Sequence, residues 1–323
     1  MRKPRGFTLI ELMVAMLLGT IVMAGVISVF MTNQKVYRTN RGLSDVQANA
    51  RMAFELMSRD IRTAGLTGCG NGSRLANVIK NNSTTWYANW STPLMGYTSS
   101  QKDLASGTGG TERTANTDSI ALLGVDGSGY SVKTNAEPAG TFALNESSTT
   151  LQKGDLVLVC DPDHGAIVQM NAVSGTTLTH DTSGTPGNCS KDLSYPTVCS
   201  SASSYTFSAN TQIAKLTAAD WYVASNGVGG TSLYRMSLSN SSGTVTAVAN
   251  EMVRNVSGMT LAYHVSGATS FVAADAVASG SWGSVDAVQI TLTMISTDTT
   301  AGADSKPITR TFTSTTTLRN RVS

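Results

Sequence analysis

Charged side chains are scarce in this sequence, and their scarcity already excludes some functions. Asp, Glu, Lys and Arg make up 14% of the 323 residues, against about 25% in an average soluble protein. The formal net charge is only +2, so the chain lacks the positive excess that marks many nucleic-acid-binding proteins. The composition therefore gives no electrostatic argument for a nucleic-acid partner. It is typical of an extracellular protein rich in β-strands.

The residue patterns of common enzyme sites are also missing. The three histidines, His164, His180 and His264, lie in separate segments. The sequence contains no Cys-x-x-Cys, no His-Glu-x-x-His and no glycine-rich phosphate-binding motif. We therefore predict a protein that is not an enzyme, with no catalytic residues, no cofactor and no metal site.

Proline is absent between Pro4 and Pro93, so a long stretch is free of the strongest helix breaker. Within this stretch residues 7–31 are predominantly apolar, and their only charged residue is Glu11. These 25 residues exceed the roughly 20 that a helix needs to cross a bilayer. The sequence therefore predicts a membrane-spanning helix, and the three basic residues before it favour a cytoplasmic start.

Glu11 separates this segment from an ordinary signal or anchor. A secretory signal peptide has an apolar core of about 7–15 residues with small residues after it, whereas here the run is longer and Gly6 precedes it. A plain anchor leaves Glu11 unexplained, because a carboxylate within a span costs about 2.5–3.5 kcal/mol. Cleavage between Gly6 and Phe7 would create an amino group at Phe7, four residues from Glu11 on the same helix face.

The run from Gly6 to Glu11, Gly-Phe-Thr-Leu-Ile-Glu, followed by an apolar helix resembles the class III signal of type IV prepilins and type II secretion pseudopilins. The resemblance implies that a prepilin peptidase cuts after Gly6 and methylates Phe7. It also implies that Glu11 neutralises the N-terminal amine of a neighbouring subunit during filament assembly.

A second helical pattern continues the first beyond residue 31. Apolar residues spaced by three and four form one face of a helix, namely Leu43, Val46, Ala50, Ala53, Met57, Ile61 and Ala64. We expect a leader at residues 1–6, a long helix at 7–64 (7–31 transmembrane or filament core, 32–64 amphipathic) and a β-rich periplasmic or extracellular head at 65–323.

Strand patterns dominate the rest of the chain. Residues 65–117 are rich in Gly, Ser, Thr and Asn, which predicts long loops with short strands. Alternation at 287–296 predicts a half-buried antiparallel strand, and Asn226-Gly227 predicts a hairpin turn. The predicted strands are 119–124, 155–160, 166–173, 221–225, 232–239, 244–249, 259–265, 287–296 and 308–318. The predicted fold class is α+β, with a long N-terminal helix and an antiparallel β-rich, pilin-like head.

Four cysteines in a chain that leaves the cytoplasm predict two disulfides, for which three connectivities exist. We favour Cys189 with Cys199, which closes a short loop, and Cys69 with Cys160, which ties the end of the long helix to a strand. The sequence alone leaves the other two connectivities open.

Three loops contain residues that fit a ligand site. Cys160-Asp161-Pro162-Asp163-His164 has potential metal ligands, but Asp-Pro-Asp favours a turn. The loops at 126–129 and 298–304 offer oxygen atoms without the spacing of an EF-hand calcium site. The aromatic residues Trp86, Tyr87, Trp90 and Tyr97 fit a ligand-stacking surface, although anchoring of a loop on the core is the more common use.

The second half of the chain resembles the PilW family of minor pilins, and it shares some signals with type II secretion pseudopilin J. The residues that carry this resemblance are 58–65, 68–70, 221–223, 232–235 and 316–321. The resemblance implies a minor type IV pilin in the inner membrane and then in the pilus. Its partners would be other minor and major pilins and the inner-membrane assembly platform. A type II secretion pseudopilin and an adhesive or DNA-binding tip subunit stay as alternatives.

Overall fold

The structure is a computed structural model, and it describes residues 8–67, 74–103, 111–137, 139–147, 150–200, 203–241, 243–319 and 321. It has a long apolar N-terminal helix followed by a large head in which antiparallel strands predominate. The predicted fold class is confirmed.

One α-helix, α1, extends over Leu9–Thr63 and contains 55 residues. The predicted apolar stripe is confirmed, because Val46, Ala50, Ala53, Met57, Ile61 and Ala64 are all buried. Leu43, at the start of the stripe, is half-buried. Gly65 follows the helix with a positive φ of 71°, a conformation that glycine adopts without strain and that commonly ends helices.

Fourteen strands and two short 3₁₀ helices follow in the described part of the chain. The strands are β1 (Leu75–Asn77), β2 (Leu94–Tyr97), β3 (Ser119–Ala136), β4 (Thr141–Leu144), β5 (Leu156–Cys160), β6 (Gly165–Gln169), β7 (Ala172–Ser174), β8 (Thr177–Thr179), β9 (Gln212–Ser225), β10 (Thr231–Ser241), β11 (Thr244–Arg254), β12 (Val256–Val265), β13 (Val285–Ile295) and β14 (Thr309–Thr317). The 3₁₀ helices are Ala274–Ala276 and Ser279–Ser284.

Eleven strands form one sheet, in which β3 and β9 are the long central pair. Strands β5 and β10 pair with successive parts of β9, and β2 and β4 pair with successive parts of β3. Among the described residues, the strand pairings in this sheet are antiparallel, except that β1 pairs with β6 in parallel. Strands β12, β13 and β14 form a second, three-stranded sheet.

The hydrophobic core covers both faces of the larger sheet. Alternate residues of β5 belong to different clusters: Leu156 and Leu158 pack with Trp86 and Tyr222, whereas Val157 and Val159 pack in a cluster with Phe142. All five residues of β5 are buried, as a continuous apolar strand requires. The alternation predicted for β13 is confirmed, because Val288, Ile290, Leu292 and Met294 are buried.

Two compact units are distinguished within the chain. The first contains the described residues up to Ala48 together with Ile295–Arg310, and the second contains Asn49–Met294 and the described residues from Thr311. In the first unit, the hydroxyl of Thr39 donates to the carbonyl of Ala301 at 2.5 Å. A Cβ atom on Gly42 would lie 3.0 Å from the Cβ of Ala301, so this helix position has little room for a side chain.

The hairpin and the strand count depart in part from the sequence prediction. Strands β9 and β10 pair as predicted, but the connecting loop is longer than Asn226-Gly227, since Asn226 donates its N–H to the carbonyl of Gly230 at 3.0 Å.

The prediction of one strand at 166–173 is wrong, because this segment contains parts of two strands, β6 and β7. The chain leaves β6 after Gln169 because the N–H of Met170 donates to Asp155 and that of Asn171 donates to Thr179.

Candidate functional site

The N-terminus of α1 is closed by a hydrogen-bonded pair, Thr8 and Glu11. A Glu11 carboxylate oxygen, Oε2, accepts from both the N–H and the hydroxyl of Thr8 at 3.0 Å, and the N–H of Glu11 donates to the Thr8 hydroxyl at 3.3 Å. This is a capping box, which satisfies helix N–H groups that otherwise have no partner. The Thr-x-x-Glu pattern at residues 8–11 could have predicted this capping box from the sequence. Gly6 and Phe7 lie outside the described residues.

The apolar half of α1 is exposed. Large apolar side chains from Leu9 to Met31 retain between 49% and 74% of their accessible surface. The helix is long and apolar enough to cross a membrane by length and composition. Exposed apolar surface of this extent is unfavourable in water and marks a membrane or protein contact, so this half of α1 is a candidate anchor.

The other end of α1 is fixed to the sheet through Asp60. Its Oδ2 atom accepts from the indole N–H of Trp221 at 2.9 Å and from Nε of Arg235 at 2.7 Å. Trp221 on β9 and Arg235 on β10 are cross-strand partners, so one helix carboxylate joins two adjacent strands. We call Asp60, Trp221 and Arg235 the junction triad.

Two further contacts surround the junction triad. The hydroxyls of Ser58 and Thr316 share a buried hydrogen bond of 2.7 Å, and the N–H of Gly65 donates to the carbonyl of Leu123 at 2.8 Å. Residues from the segments singled out at 58–65, 221–223 and 232–235, together with Thr316, therefore meet around the end of one helix. The sequence analysis identified these segments but did not predict that they form one site.

A buried carboxyl cluster lies next to this site on β9. Asp220 is fully buried, and burial together with the neighbouring Asp103 raises the pKa of Asp220 well above its usual value. Asp103 also accepts a hydrogen bond of 2.5 Å from the hydroxyl of Ser119. Burial raises the pKa of Tyr222 and Tyr263, and the nearby carboxyls raise it further, because an ionised tyrosine would place another negative charge beside them. Because burial and a neighbouring carboxyl both disfavour a second negative charge here, the neutral form of Asp220 is favoured over the charged form.

The cysteines agree with a disulfide-bonded head. Cys189 and Cys199 are joined, with their Cα atoms 5.3 Å apart. Cys160 is also disulfide-bonded, and its predicted partner, Cys69, lies outside the described residues. That second pairing stays a prediction.

Two of the loops with ligand-like residues have hydrogen-bonded partners within the chain, whereas residues 126–129 lie in β3 and do not form the predicted loop. Asp161 accepts from the N–H of His164 at 2.8 Å, so the segment after Cys160 forms the turn between β5 and β6. Asp298 accepts from the N–H and the hydroxyl of Thr300 at 2.8 Å. Among the described residues there is no group of three or more His, Cys, Asp or Glu side chains able to hold a metal ion.

The aromatic residues of the 65–117 segment serve mainly as core anchors. Trp86, Trp90 and Tyr97 are buried, whereas Tyr87 is half-buried and contacts Trp86 with ring centroids 5.7 Å apart. Trp86 and Tyr97 also line a pocket of the head, so a ligand-stacking surface, the less common use weighed in the sequence analysis, stays open for these two rings.

Two protein families match this sequence in separate regions. The prokaryotic N-terminal methylation motif matches residues 1–27. The family described as Type IV Pilus-assembly protein W matches residues 220–320, a region that begins at Asp220 and includes both strand residues of the junction triad. No curated protein and no solved structure matches the chain.

The methylation motif, the exposed apolar helix and the β-rich head define a type IV prepilin-like protein with a class III signal. Within this class, the chain resembles the minor pilin PilW. These matches support a minor type IV pilin-like role and interaction with other pilus components, and they point to a structural, non-catalytic protein. The signal and the apolar helix suggest membrane anchoring.

Proposed function

We propose that this chain is a minor type IV pilin that takes part in priming and assembling the pilus and occupies its tip. The observation that carries the proposal is the presence of both family matches, 1–27 and 220–320, in one chain. The first match belongs to the part of a pilin that is processed and packed into the filament. The second belongs to a head of the PilW type.

Assembly begins with processing in the inner membrane. The leader lies in the cytoplasm and the head in the periplasm, as the basic residues before the span favour. A prepilin peptidase cuts between Gly6 and Phe7 and methylates Phe7. The chain then passes from the inner membrane to the pilus and the cell surface.

Glu11 then guides the helix into the filament. Its carboxylate lies in an apolar segment, where a charge is costly unless it is paired, and in the single subunit it is held by Thr8. In the filament the N-terminal amine of an adjacent pilin replaces or joins this contact. The resulting ion pair fixes the axial register between neighbouring helices. The apolar contacts between these helices do not, because one helix can shift along the other without a strong energetic penalty.

The junction triad couples the anchored helix to the head. Asp60 binds two strands at once, so the C-terminal end of α1 is held on the sheet. Other minor and major pilins and the inner-membrane assembly platform are the partners in this account.

The proposal is tested in cells that lack the chromosomal copy of this gene. We expect loss of surface pili, restored by the wild type but not by Glu11→Val. Glu55→Val is the matched control, since Glu55 lies on the same helix in an exposed position outside the apolar half. Normal piliation of the deletion strain with loss of protein secretion would instead assign the chain to a type II secretion system. Full restoration by Glu11→Val would refute the charge-pair mechanism.

A further inference from the structure

The head contains a pocket that the assembly role does not use. It has a volume of about 340 Å³, and it is lined by the segment after β1, one face of β2 and β3, and the two 3₁₀ helices. This volume is at the lower end of the range of about 300–1,000 Å³ found for small-molecule sites. The pocket therefore fits a compact ligand of the size of one sugar ring or one side chain.

Three aromatic residues form the rigid floor. Trp86, Tyr97 and Trp282 line the pocket and are otherwise buried. Trp282 packs edge-on against the buried Tyr263, with ring centroids 5.0 Å apart. Because these rings are held by the core, the floor is formed before a ligand binds, which lowers the entropic cost of binding.

Three polar side chains on the rim offer unused hydrogen-bonding groups. The carboxamide oxygen of Gln101 accepts from the N–H of Thr98 at 2.8 Å, and that of Asn89 accepts from the hydroxyl of Ser91 at 2.5 Å. These bonds orient both amides and leave their NH₂ groups without a partner among the described residues. The exposed carboxylate of Asp275 likewise has no hydrogen bond or ion pair within the described part of the chain.

The chemistry of the rim restricts the ligand. The described lining has no Lys, Arg or His, and Asp275 adds negative charge, so a phosphate or carboxylate ligand is disfavoured. A purely apolar side chain would leave the two amide donors and the carboxylate acceptor unused. A neutral sugar has apolar C–H faces for the floor, and each of its hydroxyls both donates and accepts hydrogen bonds.

We propose that this pocket binds one neutral monosaccharide unit of a surface glycan. Its C–H groups contact Trp86, Tyr97 and Trp282. Its hydroxyls accept from Asn89 and Gln101 and donate to Asp275. The assignment depends on the head alone and is independent of the filament mechanism.

The test uses full-length protein in detergent with glucose, galactose, mannose and N-acetylglucosamine as separate probes. Saturation-transfer NMR and tryptophan fluorescence report binding, because two tryptophans line the pocket. We expect saturable binding of at least one sugar, weakened about tenfold or more by Asp275→Ala and by Gln101→Ala, since the first removes a hydrogen bond to a charged group and the second removes one to an oriented amide. Asn250→Ala is the control, since Asn250 is an exposed amide on β11, and it should leave binding unchanged.

Three results would overturn the proposal. One is the absence of binding by all four sugars at millimolar concentrations. The other is binding of choline with no sugar binding, which would identify an aromatic cation site with Asp275 as its counter-ion. Equal affinity of Asp275→Ala and wild type for a bound sugar would place the sugar elsewhere and would also refute this assignment.

Discussion

Removal of the Asp60 carboxylate is the perturbation that tests the junction most sharply. Asp60→Ala leaves the guanidinium of Arg235 and the indole N–H of Trp221 without their shared acceptor. Trp221 is only 1% exposed, so water cannot readily replace the lost acceptor. The effect should therefore exceed that of an ordinary surface substitution.

The magnitude follows from these two bonds. The side chains of Arg235 and Asp60 are 27% and 21% exposed, so solvent screens the ion pair and it contributes about 1 kcal/mol. The stranded indole donor costs about 1–3 kcal/mol. We expect Asp60→Ala to lower the free energy of unfolding by roughly 2–4 kcal/mol. This corresponds to a decrease in Tm of roughly 5–15 °C in a head of this size.

The assay is thermal unfolding of full-length protein in detergent, followed by near-ultraviolet circular dichroism of the head. Asp60→Asn keeps one acceptor oxygen, so it should lose about half as much stability. Glu55→Ala is the control on the same helix and should change Tm little. A double-mutant cycle with Arg235→Ala isolates the pair. An Asp60→Ala protein as stable as the wild type would refute the claim that the triad holds the helix on the sheet.

Three further predictions concern other parts of the head and helix. Asp220 has a raised pKa in the folded state, so the folded protein binds the extra proton. The stabilisation contributed by Asp220 should be greatest below its pKa in the unfolded state, which is near 4. It should fall by up to about 1.4 kcal/mol per pH unit as pH rises toward the pKa of Asp220 in the folded state. Asp220→Asn should remove this slope in urea unfolding at several pH values, and an unchanged slope would contradict the assignment. Gly42→Val should loosen the contact with the 295–310 segment and raise its amide exchange, whereas Gly25→Val, which meets no atom within 4 Å of its Cβ, should not. Cys199→Ser opens a loop with a sequence separation of 10 and should cost about 2–3 kcal/mol; no loss of stability under oxidising conditions would show that the bond contributes nothing.

The local patterns in the sequence predicted the elements better than the site. The apolar stripe that ends at Ala64 follows from the 3.6-residue period of a helix, and the alternation of β13 follows from the two-residue period of a strand. Both could therefore be predicted without a structure. Thr8 and Glu11 formed a recognisable capping box that the sequence analysis left unused. Asp60 and Trp221 are 161 positions apart, and no local pattern states that distant residues meet.

The buried carboxyl of Asp220 and the proposed sugar pocket could not be predicted from the sequence for the same reason. Asp220 lies within the Ala-Ala-Asp-Trp-Tyr run of β9, where alternation alone gives no reason to bury a carboxyl. Its environment depends on Asp103, which precedes β3 in a different part of the chain. The pocket likewise needs Trp86 and Trp282 to be brought together by the sheet.

The central claim is that this chain is a processed pilin subunit incorporated into pili. Mass spectrometry of the N-terminal peptide from sheared, purified pili tests it most directly. The account predicts a peptide that begins at Phe7 and carries one N-methyl group, in material where major pilin is also present. A mature protein that begins after Met31, or a chain that stays in the membrane fraction and is absent from purified pili, would contradict it.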